Sequence, residues 1–143
     1  MKVKQISIFL ENRSGRLADV LRVLGDAGIN IRALSLADTS DFGILRLIVD
    51  DVERGVEVLR AAGRTVTLTD VLALEIPDVP GGVAGVLGKL AEVGLNVEYM
   101  YAFVSRVTEK AIVIFRFEDV DEALRLMQGA GIKVLSRDAL AAL

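Results

Sequence analysis

The sequence contains no cysteine and no histidine among its 143 residues. The lack of cysteine excludes disulfides and thiolate nucleophiles, and the lack of histidine excludes imidazole as a general acid or base. The thiol and imidazole ligands of zinc sites are missing for the same reason. No nucleophile–base pair or paired carboxylate emerges from the remaining residues. We therefore expect no catalytic residues, no metal and no cofactor.

Aromatic residues and charge of one sign are also scarce. Aromatic residues make up 5% of the chain, and 17 basic residues against 20 acidic ones give a net charge of −3. Binding to nucleic acid requires a concentrated basic surface, and RNA-binding sheets also stack bases on aromatic side chains. We therefore expect no nucleic-acid partner.

Long apolar runs are absent, since none reaches the roughly 18–20 residues that a membrane-spanning helix needs. The basic start of the chain is not followed by the apolar region of a secretory signal. We therefore expect a cytoplasmic protein with no membrane partner. Apolar residues nevertheless make up 52% of the sequence. This surplus must be buried in an interface, and a homodimer is the commonest way to bury it.

An internal repeat organises the chain. Residues 11–34 align with residues 77–100 at a constant offset of 66, with identities that are mostly apolar residues or glycine. Downstream the offset is 68, which indicates a two-residue insertion in a hairpin loop near Ser105–Lys110. We therefore predict two modules, residues 1–70 and residues 71–143.

Each module shows the same order of secondary-structure signals. Alternating apolar residues predict a strand through Ile6, Ile8 and Leu10, and a helix with Ser14 as its N-cap follows. The remaining predicted strands of the first module are 29–37, 43–49 and 65–68, with a helix between the last two. In the second module we predict strands 71–76, 96–105, 110–117 and 133–136, and helices 82–93 and 120–130. The order βαββαβ, twice over, predicts an α+β fold with the helices on one face of an antiparallel sheet.

The first strand-to-helix loop of each module has the chemistry to bind a zwitterion. Asn12 and Asp78 each stand three residues before a glycine that begins a helix, Gly15 or Gly81. A helix N-terminus favours a carboxylate, the Asn12 or Asp78 side chain can accept from an ammonium group, and glycine allows close approach. Simpler alternatives remain open, because the glycines can serve only the turn and Ser14 can be a plain N-cap.

At these residues the sequence resembles the ACT domain family. Residues 11–17 with residues 28–31 are similar to the ACT signature, and residues 78–81 with residues 94–97 are similar to its D-x-P-G variant. The resemblance implies two ferredoxin-like modules packed side by side as a continuous eight-stranded antiparallel sheet. It also implies that a free amino acid binds where modules meet. The implied ligand-binding residues are Asn12, Arg13, Ser14, Gly15, Arg16, Leu17 and Asn30, with Asp78, Val79, Pro80, Gly81, Gly82, Val83 and Asn96.

Several of these residues also have a structural interpretation. Asn30 and Asn96 follow a helix end, where asparagine often satisfies local backbone groups, and Arg13 and Arg16 can be solvated charges. The acidic pairs at 50–51 and 118–119 precede the second helix of each module, where they favour the helix dipole.

The predicted function is that of a regulatory protein that senses a free amino acid and is not an enzyme. The alternative is a non-catalytic regulatory subunit that docks on an amino-acid biosynthetic enzyme such as acetolactate synthase, whose small subunit begins with a similar module. Neither interpretation identifies the amino acid.

Overall fold

The computed structural model describes residues 2–38, 41–103 and 110–142. The insertion and the last residues of the predicted strand 96–105 lie outside this part of the chain. Its elements, in order, are β1 (Val3–Glu11), α1 (Arg16–Asp26), β2 (Ile31–Asp38), β3 (Phe42–Val49), α2 (Val52–Ala61), β4 (Val66–Pro77), α3 (Gly82–Glu92), β5 (Tyr99–Ala102), β6 (Lys110–Arg116), α4 (Val120–Gly129) and α5 (Arg137–Ala141). The fold is α+β, as the sequence predicts.

The chain divides into two compact units. The first unit is Lys4–Thr69, and the second is Asp70–Leu143 together with Met1–Val3. The strand β4 begins in the first unit and ends in the second. Each unit is described separately below.

In the first unit, β3 lies between β2 and β1 and pairs antiparallel with both. The register places Ile6 opposite Leu47 and Ile8 opposite Leu45, so these side chains share one face of the sheet. Helices α1 and α2 cover that face, since Leu24 and Leu59 belong to the same buried cluster. The alternation that predicts β1 is therefore the alternation between this core and the opposite face.

The second unit repeats the arrangement. Here β6 lies between β4 and β5 and pairs antiparallel with both. Leu72, Leu74 and Ile76 of β4 pack with Phe115 of β6 and with residues of α3 and α4 in one buried cluster. The rings of Phe115 and Phe117 lie parallel with their centroids 6.0 Å apart. Both units thus bury the apolar stripe of two helices against one sheet face.

The expected count of eight strands is not confirmed, because the described residues form six. The strands predicted at 65–68 and 71–76 are one strand, β4, since no glycine or proline interrupts the chain between them. The strand predicted at 133–136 is reduced to a single bridge between Val134 and Leu74. Ser136 then caps the short helix α5, which the sequence analysis did not predict.

Candidate functional site

The loop before α1 and the loop before α3 have the same backbone geometry. Gly15 and Gly81 are the N-cap residues, with φ of 88° and 81° in the left-handed region that favours glycine. The N–H of Arg16 donates to the carbonyl of Arg13 at 3.3 Å, and the N–H of Gly82 donates to the carbonyl of Val79 at 3.0 Å. The sequence repeat is therefore also a repeat of loop conformation.

The prediction that Ser14 is the N-cap of α1 is wrong. The helix begins at Arg16, and Gly15 occupies the N-cap position with no side-chain hydrogen bond. The turn requires a positive φ at Gly15, the residue after Ser14, so the helix begins one residue later than expected. Gly15 therefore takes the N-cap position that was predicted for Ser14.

Helices α1 and α3 differ from the other helices at their N-termini. Asp51, Asp119 and Ser136 cap α2, α4 and α5 by accepting from a backbone N–H of the first turn. Neither α1 nor α3 has such a side-chain cap. Since the N–H groups of Arg16 and Gly82 already donate to loop carbonyls, the next first-turn N–H groups, at residues 17–18 and 83–84, have the capacity to bind an anion supplied from outside the helix.

The first unit has two clefts beside the loop before α1. A cleft of about 120 Å³ is lined by Asn12, Arg13 and Leu17 among others. A neighbouring cleft of about 350 Å³, called cleft 1 below, has as its lining Phe9, Leu10, Glu11, Arg16, Phe42 and Arg64. The Glu11 carboxylate lies 3.2 Å from the Arg13 guanidinium and 3.9 Å from that of Arg16. These ion pairs are exposed, so their contribution to stability is small.

The second unit has one larger cleft in the corresponding place. This cleft, called cleft 2 below, has a volume of about 420 Å³ and is lined by the loop residues Val79, Pro80, Gly81 and Gly82. Gly85 and Val86 of α3 continue the wall along the helix. The loop is therefore part of a concave surface, the shape that small-molecule sites adopt.

Charged side chains also line cleft 2. Lys89, Lys110 and Lys133 line it together with Glu75. The Glu75 carboxylate lies 3.5 Å from the ammonium of Lys110 and 4.0 Å from that of Lys133. The Glu75 side chain is only 19% exposed, whereas those of Lys110 and Lys133 are 57% and 74% exposed. The carboxylate therefore lies at the back of the cleft, with the lysines nearer solvent.

Two glycines of α3 shape cleft 2 in different ways. A Cβ on Gly82 would overlap the carbonyl oxygen of Pro77, whereas a Cβ on Gly85 would meet no atom within 4 Å. Gly82 is thus required by the close packing of the helix start on the loop. Gly85 leaves the exposed surface of the helix bare, where the first unit carries Asp19 at the repeat-related position.

The structure brings some of the predicted site residues together and separates others. Val79, Pro80, Gly81 and Gly82 line cleft 2, while Asp78 and Val83 belong to the same segment without lining that cleft. In the first unit Asn12, Arg13 and Leu17 line the smaller cleft and Arg16 lines cleft 1. Ser14 and Gly15 form the turn between them.

The two predicted asparagines lie at the other end of the helices. Asn30 follows the C-terminus of α1, which at about 1.5 Å per residue is some 16 Å from its N-terminus. Its N–H donates to an Asp50 carboxylate oxygen at 3.0 Å, and its carbonyl accepts from the Asp50 N–H at 3.1 Å. Asn96 lines a separate cleft with Glu118 and Asp119. Within one unit, neither asparagine reaches the strand-to-helix loop.

Sequence reasoning missed the charged side of cleft 2. The residues concerned are Glu75, Lys89, Lys110 and Lys133. A signal was available, because the repeat relates Glu75 and Lys110 to Phe9 and Phe42, which line cleft 1. The positions at which the two aligned modules differ in charge therefore point to Glu75 and Lys110.

Both units thus have the ferredoxin-like arrangement of paired helices over an antiparallel sheet, with an uncapped helix N-terminus beside a cleft. Comparison with known protein families identifies the family to which this arrangement belongs. The family model described as "ACT domain pair" matches residues 1–143. The chain belongs to the ACT domain pair family, which confirms the resemblance noted in its loops.

Solved structures with the same fold agree with this assignment. The protein BT0572 from Bacteroides thetaiotaomicron is 40% identical, with a TM-score of 0.90 over 100% of this chain and 98% of that one. The regulatory subunit of aspartate kinase from Thermus thermophilus is 20% identical, with a TM-score of 0.61 over 89% of this chain and 91% of that one. The corresponding subunit from Thermus flavus is 20% identical, with a TM-score of 0.56 over 90% and 92%. The comparison with curated proteins gave no match.

Two further findings concern only the residues that the structure describes. None of their helices combines the length and apolar character needed to cross a membrane. Their acidic side chains form no group of three that could hold a metal ion. Asp51 and Asp119, from the two acidic pairs, cap helices α2 and α4, which confirms their placement at helix N-termini.

Proposed function

We propose that this ACT domain pair is a regulatory protein that binds a free amino acid at the loops before α1 and α3, and that it is not an enzyme. The observation that carries the proposal is the contrast in helix capping. Of the five helices within the described residues, three have a side-chain cap, and the two that lack one begin beside a cleft. An amino acid carboxylate supplies the missing acceptor, since helix N-termini bind anions through free N–H groups and the helix dipole.

The two proposed sites correspond to modules 1–70 and 71–143 and differ in chemistry. Arg13 lines the smaller cleft, whereas its repeat-related residue Val79 lines cleft 2, so the two loops offer different side chains to a ligand. We propose that the two sites differ in affinity or in ligand. Asn30 and Asn96 lie about a helix length from the loops of their own units, so they take part only where another module faces the loop.

Exposed apolar residues of the first unit favour association with a second protein. Leu34 and Leu36 on the edge strand β2 are 39% and 49% exposed. A second copy of the chain is the partner we propose, because symmetric association is the commonest way to bury such residues. The side-by-side packing of the two modules within one chain stays a prediction.

The alternative function is that of a regulatory subunit docked on an amino-acid biosynthetic enzyme. The fold likeness to regulatory subunits of aspartate kinase makes this a reasonable second candidate, and acetolactate synthase is another possible partner enzyme. The same exposed apolar residues support it, because obligate interfaces are more apolar than the ordinary surface.

A thermal-shift screen against the twenty amino acids tests the proposal. A ligand that binds only the native state at about 100 times its dissociation constant adds roughly 2.7 kcal/mol of stability. We expect the melting temperature to rise by several degrees with one amino acid or a few related ones. If no amino acid raises the melting temperature, the proposal that the protein senses an amino acid is contradicted. The regulatory-subunit hypothesis would then be tested by co-purification with an enzyme.

A further inference from the structure

We infer that cleft 2 binds an amino acid with an acidic side chain. This inference rests on the proposed function and narrows its ligand. It depends on the charged residues of the second unit that have no counterpart in the first.

Cleft 2 is positively charged although the chain as a whole carries a net charge of −3. Among the residues that the structure describes, its lining holds three lysines and one glutamate, a net charge of +2. The uncapped N-terminus of α3 adds a further positive potential at the same cleft. A concave surface of one sign concentrates ligands of the opposite sign.

The repeat shows that two of these charged residues, Glu75 and Lys110, are specific to the second unit. Glu75 and Lys110 stand where cleft 1 has Phe9 and Phe42, which are 66% and 54% exposed. The two clefts therefore share their position in the fold and differ in their chemistry. At cleft 2 the charged pair of Glu75 and Lys110 is available to a ligand, whereas the same positions of cleft 1 offer two aromatic rings.

Three parts of cleft 2 match three groups of an acidic amino acid. The first-turn N–H groups of α3 suit the α-carboxylate. Glu75, the one carboxylate that the described residues contribute to the lining, suits the ammonium group. Lys110 and Lys133 lie within 4.0 Å of Glu75, so they are placed to bind a side-chain carboxylate beside that ammonium group. Such a ligand carries a net charge of −1, so it lowers the positive charge of the cleft and gives each of its own charged groups a partner of opposite sign.

The bare surface of α3 supports a ligand at this place. Gly85 and Gly88 are repeat-related to Asp19 and Arg22, whose side chains form an ion pair at 3.4 Å on the exposed face of α1. Glycine inside a helix is less favourable than alanine by roughly 0.8–1 kcal/mol. At Gly85, which lines cleft 2, a side chain would occupy space that the ligand needs.

Titration calorimetry on the whole protein at low ionic strength tests the inference. The probes are L-glutamate and L-aspartate, their amides L-glutamine and L-asparagine, and glutarate, which lacks the amino group. We expect an acidic amino acid to bind at least about tenfold more tightly than its amide and than glutarate, since a hydrogen bond to a charged group contributes about 1.5–3 kcal/mol. An amide that binds as tightly as its acid overturns the inference.

The screen separates failure of this inference from failure of the proposed function. If another amino acid binds and neither acidic one does, the inference of an acidic ligand is overturned, whereas the proposed amino-acid-sensing function is supported. If none of the twenty binds, both are overturned.

Two matched variants locate the site. Gly85→Asp adds a negative charge to the lining of cleft 2, and Gly88→Asp adds the same charge one turn further along, outside that lining. Neither added Cβ meets an atom within 4 Å, so both variants are expected to fold, which their melting curves check. We expect Gly85→Asp to weaken binding of the acidic ligand at least about tenfold and Gly88→Asp to weaken it less than about threefold. Equal effects, or no effect of Gly85→Asp, overturn the assignment to cleft 2.

Discussion

Adjacent glycines at the start of α3 serve different purposes. Gly81 adopts a positive φ at the N-cap, whereas Gly82 lies where the backbone of Pro77 leaves no room for a Cβ. Gly85, one turn on, is exposed and unconstrained. The fold therefore explains why Gly81 and Gly82 are glycines. It does not explain Gly85, for which we propose a functional reason.

The pair Gly82→Ala and Gly85→Ala tests this distinction. Gly82→Ala is expected to lower the free energy of unfolding by about 1–3 kcal/mol, because the methyl group forces the loop and helix apart. Gly85→Ala is expected to raise it by roughly 0.5–1 kcal/mol through helix propensity. Urea denaturation of the ligand-free protein measures both. Equal effects of the same sign would show that packing does not distinguish these two positions.

At the scale of the element, the helix N-termini are of two kinds: some are capped by a side chain, and those of α1 and α3 are not. Asp51 and Asp119 accept from the N–H of Arg54 at 3.1 Å and of Glu122 at 3.0 Å. They are N-caps of the ordinary kind, and the sequence predicts their position because an acidic residue precedes an apolar helical pattern. The loops before α1 and α3 depart from that pattern.

Removing the N-cap Asp119 and removing Ser14, which was wrongly predicted as an N-cap, are expected to change the free energy of unfolding by different amounts. Asp119→Ala should cost about 1 kcal/mol of unfolding free energy, the usual effect of losing an N-cap. Ser14→Ala should change it by less than about 0.5 kcal/mol, because Gly15 holds the N-cap position of α1. Thermal unfolding of the two variants without ligand is the measurement. A loss at Ser14→Ala as large as that at Asp119→Ala would mean that the serine hydroxyl caps α1 in solution.

The elements that the sequence predicts well are those with a complete local signal. Helix α3 begins at Gly82 as expected and ends at Glu92, one residue before the predicted end. The predicted break between residues 68 and 71 is wrong, because β4 runs through both predicted strands. The strand at 133–136 was predicted from the repeat, yet only Val134 forms a bridge. Local pattern cannot show which partner strand is available.

For the candidate site, the loops could be predicted and the opposite wall could not. The helix-start glycines carry a local signature, so residues 79–82 were identified and do line cleft 2. Glu75, Lys110 and Lys133 come from three separate segments that meet only through the pairing of β4 with β6 and the bridge at Val134. No short-range pattern connects such residues.

At the scale of the whole molecule, the edge strand β2 is the surface at which we expect a second copy to bind. Leu34 and Leu36 share the side of the sheet that carries the helices, since they lie opposite Leu47 and Leu45. An exposed edge with apolar side chains tends to pair with another chain. We therefore expect sedimentation velocity to give twice the mass of one chain.

Charge on this edge should separate the copies. The double variant Leu34→Glu with Leu36→Glu is expected to sediment as a monomer, because two carboxylates per chain would be buried at the interface without partners. Leu68→Glu is the control, since Leu68 is also exposed, at 44%, and lies on β4. A monomeric wild-type protein, or a control that dissociates equally, would contradict this placement.

The central claim is that the first-turn backbone N–H groups of α1 or α3 bind the carboxylate of a free amino acid. The most direct measurement is a ¹H–¹⁵N NMR titration of the labelled protein with the amino acid that gives the largest thermal shift. We expect the largest amide shifts at residues 17–18, at residues 83–84, or at both. Shifts concentrated at Asn30 and Asn96, at the far ends of the helices, with no change in the first turns, would contradict it.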